Sequence, residues 1–197
     1  GVVVVEAAGN GSQNLDAAVY STGHGGHWPF LPANDSGAII VGAGASPGGS
    51  DTDRSRLGFS NYGSTLDLQG WGENVYTTGY GNLYSAEGKN LWFTSTFSGT
   101  SSASPIVAGA CLLIQSTYKS GSGGFLTPAQ VRSNLRTTGS AQQAGTYPTS
   151  QNIGPRPNAS AALCNALPAI DSNGNLVPDR CDGLAGLEAC CFASGGC

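Results

Sequence analysis

Two short apolar runs constrain the fold of this chain more than any other feature. Residues 2–5 are all valine, and residues 38–41 read Ala-Ile-Ile-Val. Runs of β-branched residues with no alternating polar positions are typical of parallel strands that are covered on both faces. Each run leads into small residues and glycine, where a chain can turn sharply. The sequence therefore predicts an α/β protein with a mostly parallel sheet.

Two later stretches have the pattern of helices that would cover such a sheet. Apolar side chains recur with the helical period over residues 100–118, and a glycine-rich segment follows them. In the second stretch, Thr127, Pro128 and Gln130 form the sequence signature of a capped helix start. We expect this second helix to end near Gly139.

Composition restricts the classes of function that are open to the chain. Only 10% of the 197 residues are charged and 39% are hydrophobic, which excludes a disordered tail or a solvated coiled coil. The net charge of −4, with no run of basic residues, argues against nucleic acid and anionic membrane surfaces as partners. No apolar stretch is long enough to cross a bilayer.

The first residues indicate that the chain belongs to something longer. It begins inside an apolar run and contains no methionine. Natural domains seldom begin in the middle of a buried strand. We therefore expect the chain to be the second part of a larger protein, either as a processed product or as a gene fragment.

The cysteines are concentrated at the other end. Five of the six lie in residues 164–197. An even total of cysteines, without a C-x-x-C pair, favours disulfide bonds and a secreted protein over a zinc site. Because residues 142–163 are polar and rich in proline, the sequence predicts a domain over 1–141, a linker over 142–163 and a small disulfide-rich tail, whose pairing stays open.

One segment of this tail has the spacing of a calcium loop. Over twelve residues, the candidate oxygen ligands are Asp171, Asn173, Asn175, Val177 through its carbonyl, Asp179 and Asp182. The pattern is similar to the short calcium repeats of thrombospondin type 3 and dockerin modules. It departs from them at Leu176, where glycine is usual, and at its last position, which is aspartate. A structural calcium ion and a plain Asp/Asn/Gly-rich turn both remain open.

The segment around Ser101 is the most informative for chemistry. Ser101 follows Gly99 and Thr100 at the mouth of the first predicted helix. The free backbone N–H groups and the positive dipole end of a helix start would favour a nucleophile there. Gly99 would let a substrate backbone approach closely. From spacing alone, the alternative is that Ser98, Thr100 and Ser101 merely cap the helix.

Residues 99–109, Gly-Thr-Ser-Ser-Ala-Ser-Pro-Ile-Val-Ala-Gly, resemble the nucleophile motif of subtilisin-like serine proteases. Further segments resemble signatures of that family in the same order, namely 2–10, 38–43, 59–63 with 66–68, and 127–132. The resemblance covers about residues 1–140. It implies a three-layer subtilisin-like α/β fold, incomplete in this chain, and hydrolysis of polypeptide substrates through an acyl-enzyme.

The resemblance also implies roles for individual residues. Ser101 would be the nucleophile, and Asn10 would donate its side-chain amide to the oxyanion together with the backbone N–H of Ser101. Ala8 and Gly9 would form one wall of the pocket for the substrate side chain before the scissile bond, and Pro32 would lie beside that pocket. No cofactor is implied for catalysis.

The histidine and aspartate of such a triad are expected outside this chain. In the family order, both precede the nucleophile in the half of the domain that would come before Gly1. His24, His27 and Asp35 resemble them only locally, because prolines follow His27 and Asp35 precedes its strand instead of ending one. We interpret these three as loop residues that border the substrate pocket.

Two functions follow from these residues. The first is a secreted serine endopeptidase, of which this chain is the part that bears the nucleophile. On its own we expect the chain to be an inactive fragment that needs the missing N-terminal half as its partner. The second is a non-catalytic, protease-like module for peptide binding or assembly, with a calcium-binding tail.

Overall fold

A parallel sheet of three strands carries the fold in the computed structural model, which describes residues 1–21 and 30–166. In chain order the elements are β1 (Val5–Ala7), α1 (Ala18–Ser21), a 3-10 helix (Pro32–Asn34), β2 (Ile39–Gly44), β3 (Leu68–Trp71), β4 (Val75–Thr78), a 3-10 helix (Lys89–Leu91), β5 (Phe93–Phe97), α2 (Thr100–Ser122), α3 (Pro128–Thr138) and α4 (Ala159–Ala166).

The sheet has the order β1-β2-β3, and both of its strand pairs are parallel, as the sequence predicts. Val5 is opposite Ile39, and Val41 is opposite Leu68. β1 begins three residues later than the first apolar run suggested. The reason is that the run starts before the amino end of β2, its partner strand, so that Val2 remains 81% exposed.

Helices cover one face of the sheet. α2 packs across all three strands, and α3 and α4 pack beside it. The buried residues of this layer are Ile39, Val41, Leu68, Ala103, Val107, Cys111, Ile114, Leu126, Val131, Leu135 and Ala162. The predicted helix starts are confirmed: α2 begins at Thr100, and α3 has the full capping box between Thr127 and Gln130.

Loops cover the opposite face. Leu15, Leu66 and Ile153 form a second buried cluster there. The antiparallel ribbon of β4 and β5 connects β3 to α2. Within the described part of the chain, no helix is both long enough and apolar enough to cross a membrane.

The predicted linker over residues 142–163 is a part of the packed domain. Ile153 is fully buried, and the side-chain amide of Asn152 donates to the carbonyls of Gly63 and Leu66. α4 continues through residue 164, so the predicted boundary of the tail falls inside a helix. The polar composition misled the prediction because these side chains serve as hydrogen-bonding partners for neighbouring loops, which composition alone does not show. The rest of the predicted tail lies outside the described residues.

Replacing Ile153 tests this correction. We expect Ile153→Ala to lower the free energy of unfolding by about 2–5 kcal/mol, because it leaves a cavity against Leu15 and Leu66. Leu112→Ala is the control: that side chain is 71% exposed, and its loss should change stability by less than about 0.5 kcal/mol. Chemical denaturation measures both, and a near-neutral Ile153→Ala would restore the linker interpretation.

Candidate active site

The start of α2 presents Ser101 to solvent. Gly99 is the N-cap residue of this helix, with φ +112°, and as a glycine it has no side chain that could cap the helix. Because Gly99 occupies the N-cap position, the interpretation of Ser98, Thr100 and Ser101 as simple caps is wrong. Ser102 is buried, and its hydroxyl donates to the carbonyls of Gly99 and Trp71, at 2.8 and 2.9 Å. This attachment fixes the first helical turn to the end of β3 and leaves Ser101 on the outer side.

Asn10 meets this helix start from the end of β1. Its Oδ1 accepts hydrogen bonds from the backbone N–H of Thr100 at 2.8 Å and from the hydroxyl of Thr100 at 3.0 Å. Because both bonds use the side-chain oxygen, the amide nitrogen of Asn10 stays available as a donor. Two segments that lie 90 positions apart in the sequence are joined here.

The two predicted oxyanion donors border the space beside Gly99. A Cβ atom on Gly99 would lie 3.3 Å from Nδ2 of Asn10 and 3.6 Å from the backbone nitrogen of Ser101. The N–H of Ser101 belongs to the first turn of α2, where backbone donors have no partner within the helix. Two N–H donors this close to one position can stabilise a negatively charged oxygen between them.

Of the other predicted pocket residues, Gly9 contacts the start of α2. Gly9 has φ +94°, and its N–H donates to Oγ1 of Thr100 at 3.2 Å. Ala8 is partly buried immediately before it. Pro32 begins a 3-10 helix, and its place beside the pocket stays a prediction. The sequence analysis missed Thr100, which holds both Gly9 and Asn10, because no motif shows a contact across 90 positions.

Asp35 lies away from this site, and its assignment to the border of the substrate pocket is wrong. It precedes β2, at the amino ends of the parallel strands, whereas Asn10 follows β1 at the carboxyl ends. Its carboxylate accepts from the N–H of Gly37 at 2.8 Å and pairs with Arg132 at 2.6 Å. The Gly37 hydrogen bond and then Arg132 lower the pKa of Asp35. This aspartate therefore anchors α3 to the base of the sheet.

Several predicted residues fall outside the described part of the chain. His24 and His27 lie there, and so do all candidate calcium ligands of segment 171–182. Within residues 1–21 and 30–166, no group of three His, Cys, Asp or Glu side chains could hold a metal ion. Cys111 is a free, buried thiol of α2, and burial raises its pKa to about 11, so it suits packing and not nucleophilic chemistry.

Comparison with known proteins identifies the family of this chain. A family model described as the subtilase family, peptidase S8, matches residues 1–159. Subtilisin DY of Bacillus licheniformis is 35% identical over 142 residues, which are 70% of this chain and 39% of that protein. The extracellular serine proteinase of Thermus sp. (strain Rt41A) is 38% identical over 150 residues, 75% of this chain and 29% of that protein.

A solved structure shows the same fold. A protease from Pseudoalteromonas arctica PAMC 21717 superposes with a TM-score of 0.57 and 26% identity, over 84% of this chain and 43% of that one. The chain thus spans less than half the length of each of these three proteins. Since the family model covers well over half of the 197 residues, and relatives above 30% identity span more than two thirds of them, the chain belongs to the subtilase family.

Proposed function

We propose that this chain supplies the nucleophile and the oxyanion-binding groups of a serine endopeptidase. The observation that carries the proposal is that the amide nitrogen of Asn10 and the backbone nitrogen of Ser101 lie 3.3 and 3.6 Å from one position beside Gly99, where a Cβ atom would stand. A peptide carbonyl oxygen placed in that space would be within reach of both donors as it acquires negative charge.

The chemistry then follows the acyl-enzyme route. Oγ of Ser101 bonds to the carbonyl carbon while a base removes its proton, and the carbonyl oxygen becomes the oxyanion. When the C–N bond breaks, the base returns the proton to the departing amine. Water then attacks the ester on Ser101 by the same steps, which releases the acid and restores the hydroxyl.

The base and its orienting aspartate would come from a partner segment, the N-terminal half of the peptidase domain. Three features support this. The chain spans 39% of Subtilisin DY. β1 forms the edge of the described sheet, next to the exposed Val2 and Val4. A groove lined by Val3, Val5, Cys111 and Leu112 follows this edge, so apolar surface is left open where further chain would pack.

Secretion and a polypeptide substrate complete the proposal. The Thermus and Xanthomonas relatives are named as an extracellular serine proteinase and an extracellular protease. The cysteines of segment 164–197 fit the same oxidising environment, as structural disulfides.

Activity of the chain with and without its upstream half tests the proposal. We expect the 197-residue chain alone to show negligible hydrolysis of a peptide anilide, because in this proposal the base comes from the upstream half, and the complete protein to be active. Ser101→Ala should then remove activity by about 10⁶-fold in kcat, the loss known for subtilisin itself. Ser104→Ala, one helical turn away, should retain it.

Two results would contradict this assignment. Turnover by the chain alone that Ser101→Ala abolishes would place the base within the chain, with His24 and His27 as candidates. A complete protein that binds peptides without cleaving them would favour the non-catalytic module.

Filling the space beside Gly99 tests the oxyanion site directly. We expect Gly99→Ala in the complete enzyme to lower kcat by about 10²–10³-fold, the range for losing an oxyanion donor in subtilisin, because the methyl group would crowd the Asn10 amide. Gly123→Ala, at the other end of α2, is the matched control, because its φ is also positive, at +75°, and a Cβ there meets nothing within 4 Å. If both variants keep full kcat, the oxyanion does not bind at this place.

Calcium binding by segment 171–182 stays a prediction with a direct test. Calorimetric titration of the oxidised chain with calcium should show binding that Asp171→Ala removes, since that aspartate is the first ligand of the loop. Absence of binding heat at millimolar calcium would reduce the segment to a turn.

A further inference from the structure

Asn61 holds the loop that carries Asn10. We call residues 8–13, which follow β1, the oxyanion loop. Asn61 joins this loop at four points: Nδ2 donates to the Ala8 carbonyl at 2.7 Å, Oδ1 accepts from the N–H groups of Gly11 at 3.1 Å and Gln13 at 2.8 Å, and the Asn61 N–H donates to the Gly9 carbonyl at 3.0 Å. These bonds lie on both sides of Asn10 along the chain.

The shape of the loop fits this side chain. A Cβ atom on Gly9 would lie 2.8 Å from Nδ2 of Asn61, and the φ of Gly9 is +94°. Only glycine combines that backbone conformation with room for the amide. The loop is therefore held from two directions: Thr100 binds the side-chain oxygen of Asn10, and Asn61 binds the backbone around it.

Asn61 is itself held in place by contacts of Ser60 and the buried Arg56. The hydroxyl of Ser60 accepts from the N–H of Ala43 in β2 at 3.0 Å and donates to the carbonyl of Asn61 at 2.9 Å. Arg56 is only 1% exposed. Its guanidinium donates to the carbonyls of Leu57, Gly58 and Ser60 and to Oε1 of Gln151, and it lies between the rings of Tyr62 and Tyr147, at 4.7 and 4.0 Å.

We propose that Asn61 is a positioning residue of the oxyanion site, which it serves by fixing the oxyanion loop and with it the amide of Asn10. The inference rests on the proposed function. An oxyanion donor lowers the barrier only when it is already in place as charge develops, and a displacement of about 1 Å costs up to 10²-fold in rate. Asn61 acts through Asn10, since its own polar atoms are bonded to the loop.

Hydrogen exchange tests the positioning without relying on catalysis. In the complete protein, Asn61→Ala should speed exchange of the Thr100 amide about tenfold or more, because that N–H is bonded to Asn10 and not to Asn61. Asn152→Ala is the matched control: its side chain makes three hydrogen bonds, to Gly63, Leu66 and Gly154, on a different loop. An unchanged Thr100 amide, or an equal rise in both variants, would overturn the inference.

Kinetics provide a second readout. Asn61→Ala should lower kcat about tenfold or more with KM within about twofold, since substrate binding is retained while the oxyanion donor is displaced. Asn152→Ala should keep kcat within about twofold. A rise in KM at constant kcat would show that Asn61 shapes substrate binding instead. If Asn61→Ala does not fold, Asn61→Asp keeps the acceptor for Gly11 and Gln13 and loses the donor to Ala8, so the same two outcomes decide.

The two proposals fail separately. A complete wild-type protein without peptidase activity would refute the proposed function, whereas the exchange of the Thr100 amide would still decide whether Asn61 orders the oxyanion loop.

Discussion

The pair of hydrogen bonds from Thr100 to Oδ1 of Asn10 is the contact on which the candidate site depends. It joins the end of β1 to the start of α2 and fixes which end of the Asn10 amide faces the space beside Gly99. Parallel strands make this possible, because their carboxyl ends lie side by side at one end of the sheet. α2 lies across all three strands and begins at that same end. Strand pairing and helix packing therefore determine the geometry of a site that contains few side chains.

Local patterns predicted the parts of this fold that local physics controls. The apolar run at 38–41, the helical period after Thr100 and the capping box at Thr127 each depend on neighbours within a few residues. The family resemblance added Ser101 and Asn10. What remained hidden were contacts between distant segments, such as those of Thr100 and Asn61, because an asparagine in a Ser-Asn-Tyr-Gly turn looks the same whether or not a loop lies against it. Residues 142–163 were misassigned for the same reason.

The surface of the chain is uneven in a way that agrees with the proposed partner segment. The face covered by α3 and α4 is packed, whereas the edge beyond β1 exposes Val2 and Val4, and the adjoining side of α2 exposes Leu112. Such a surface is costly in water, because fully burying a valine or leucine side chain contributes about 1.5–3 kcal/mol relative to leaving it exposed. Association with more polypeptide along this edge would recover part of that free energy, and in the proposed function the same polypeptide carries the base for Ser101.

The contacts of Arg56 and Ser60 that hold Asn61 bear on the pH dependence of the proposed activity. Arg56 is held by carbonyl oxygens and the Gln151 amide, none of which gains or loses a proton in water. Burial lowers the pKa of Arg56, but a guanidinium starts from so high a value that it stays charged at ordinary pH. The framework that orients the oxyanion donors thus keeps one charge state from acid to mild alkali. A dependence of the rate on pH over that range would then come from groups outside this framework, such as the catalytic base of the proposed function, and not from a change in charge beneath the groups that receive the substrate's oxygen.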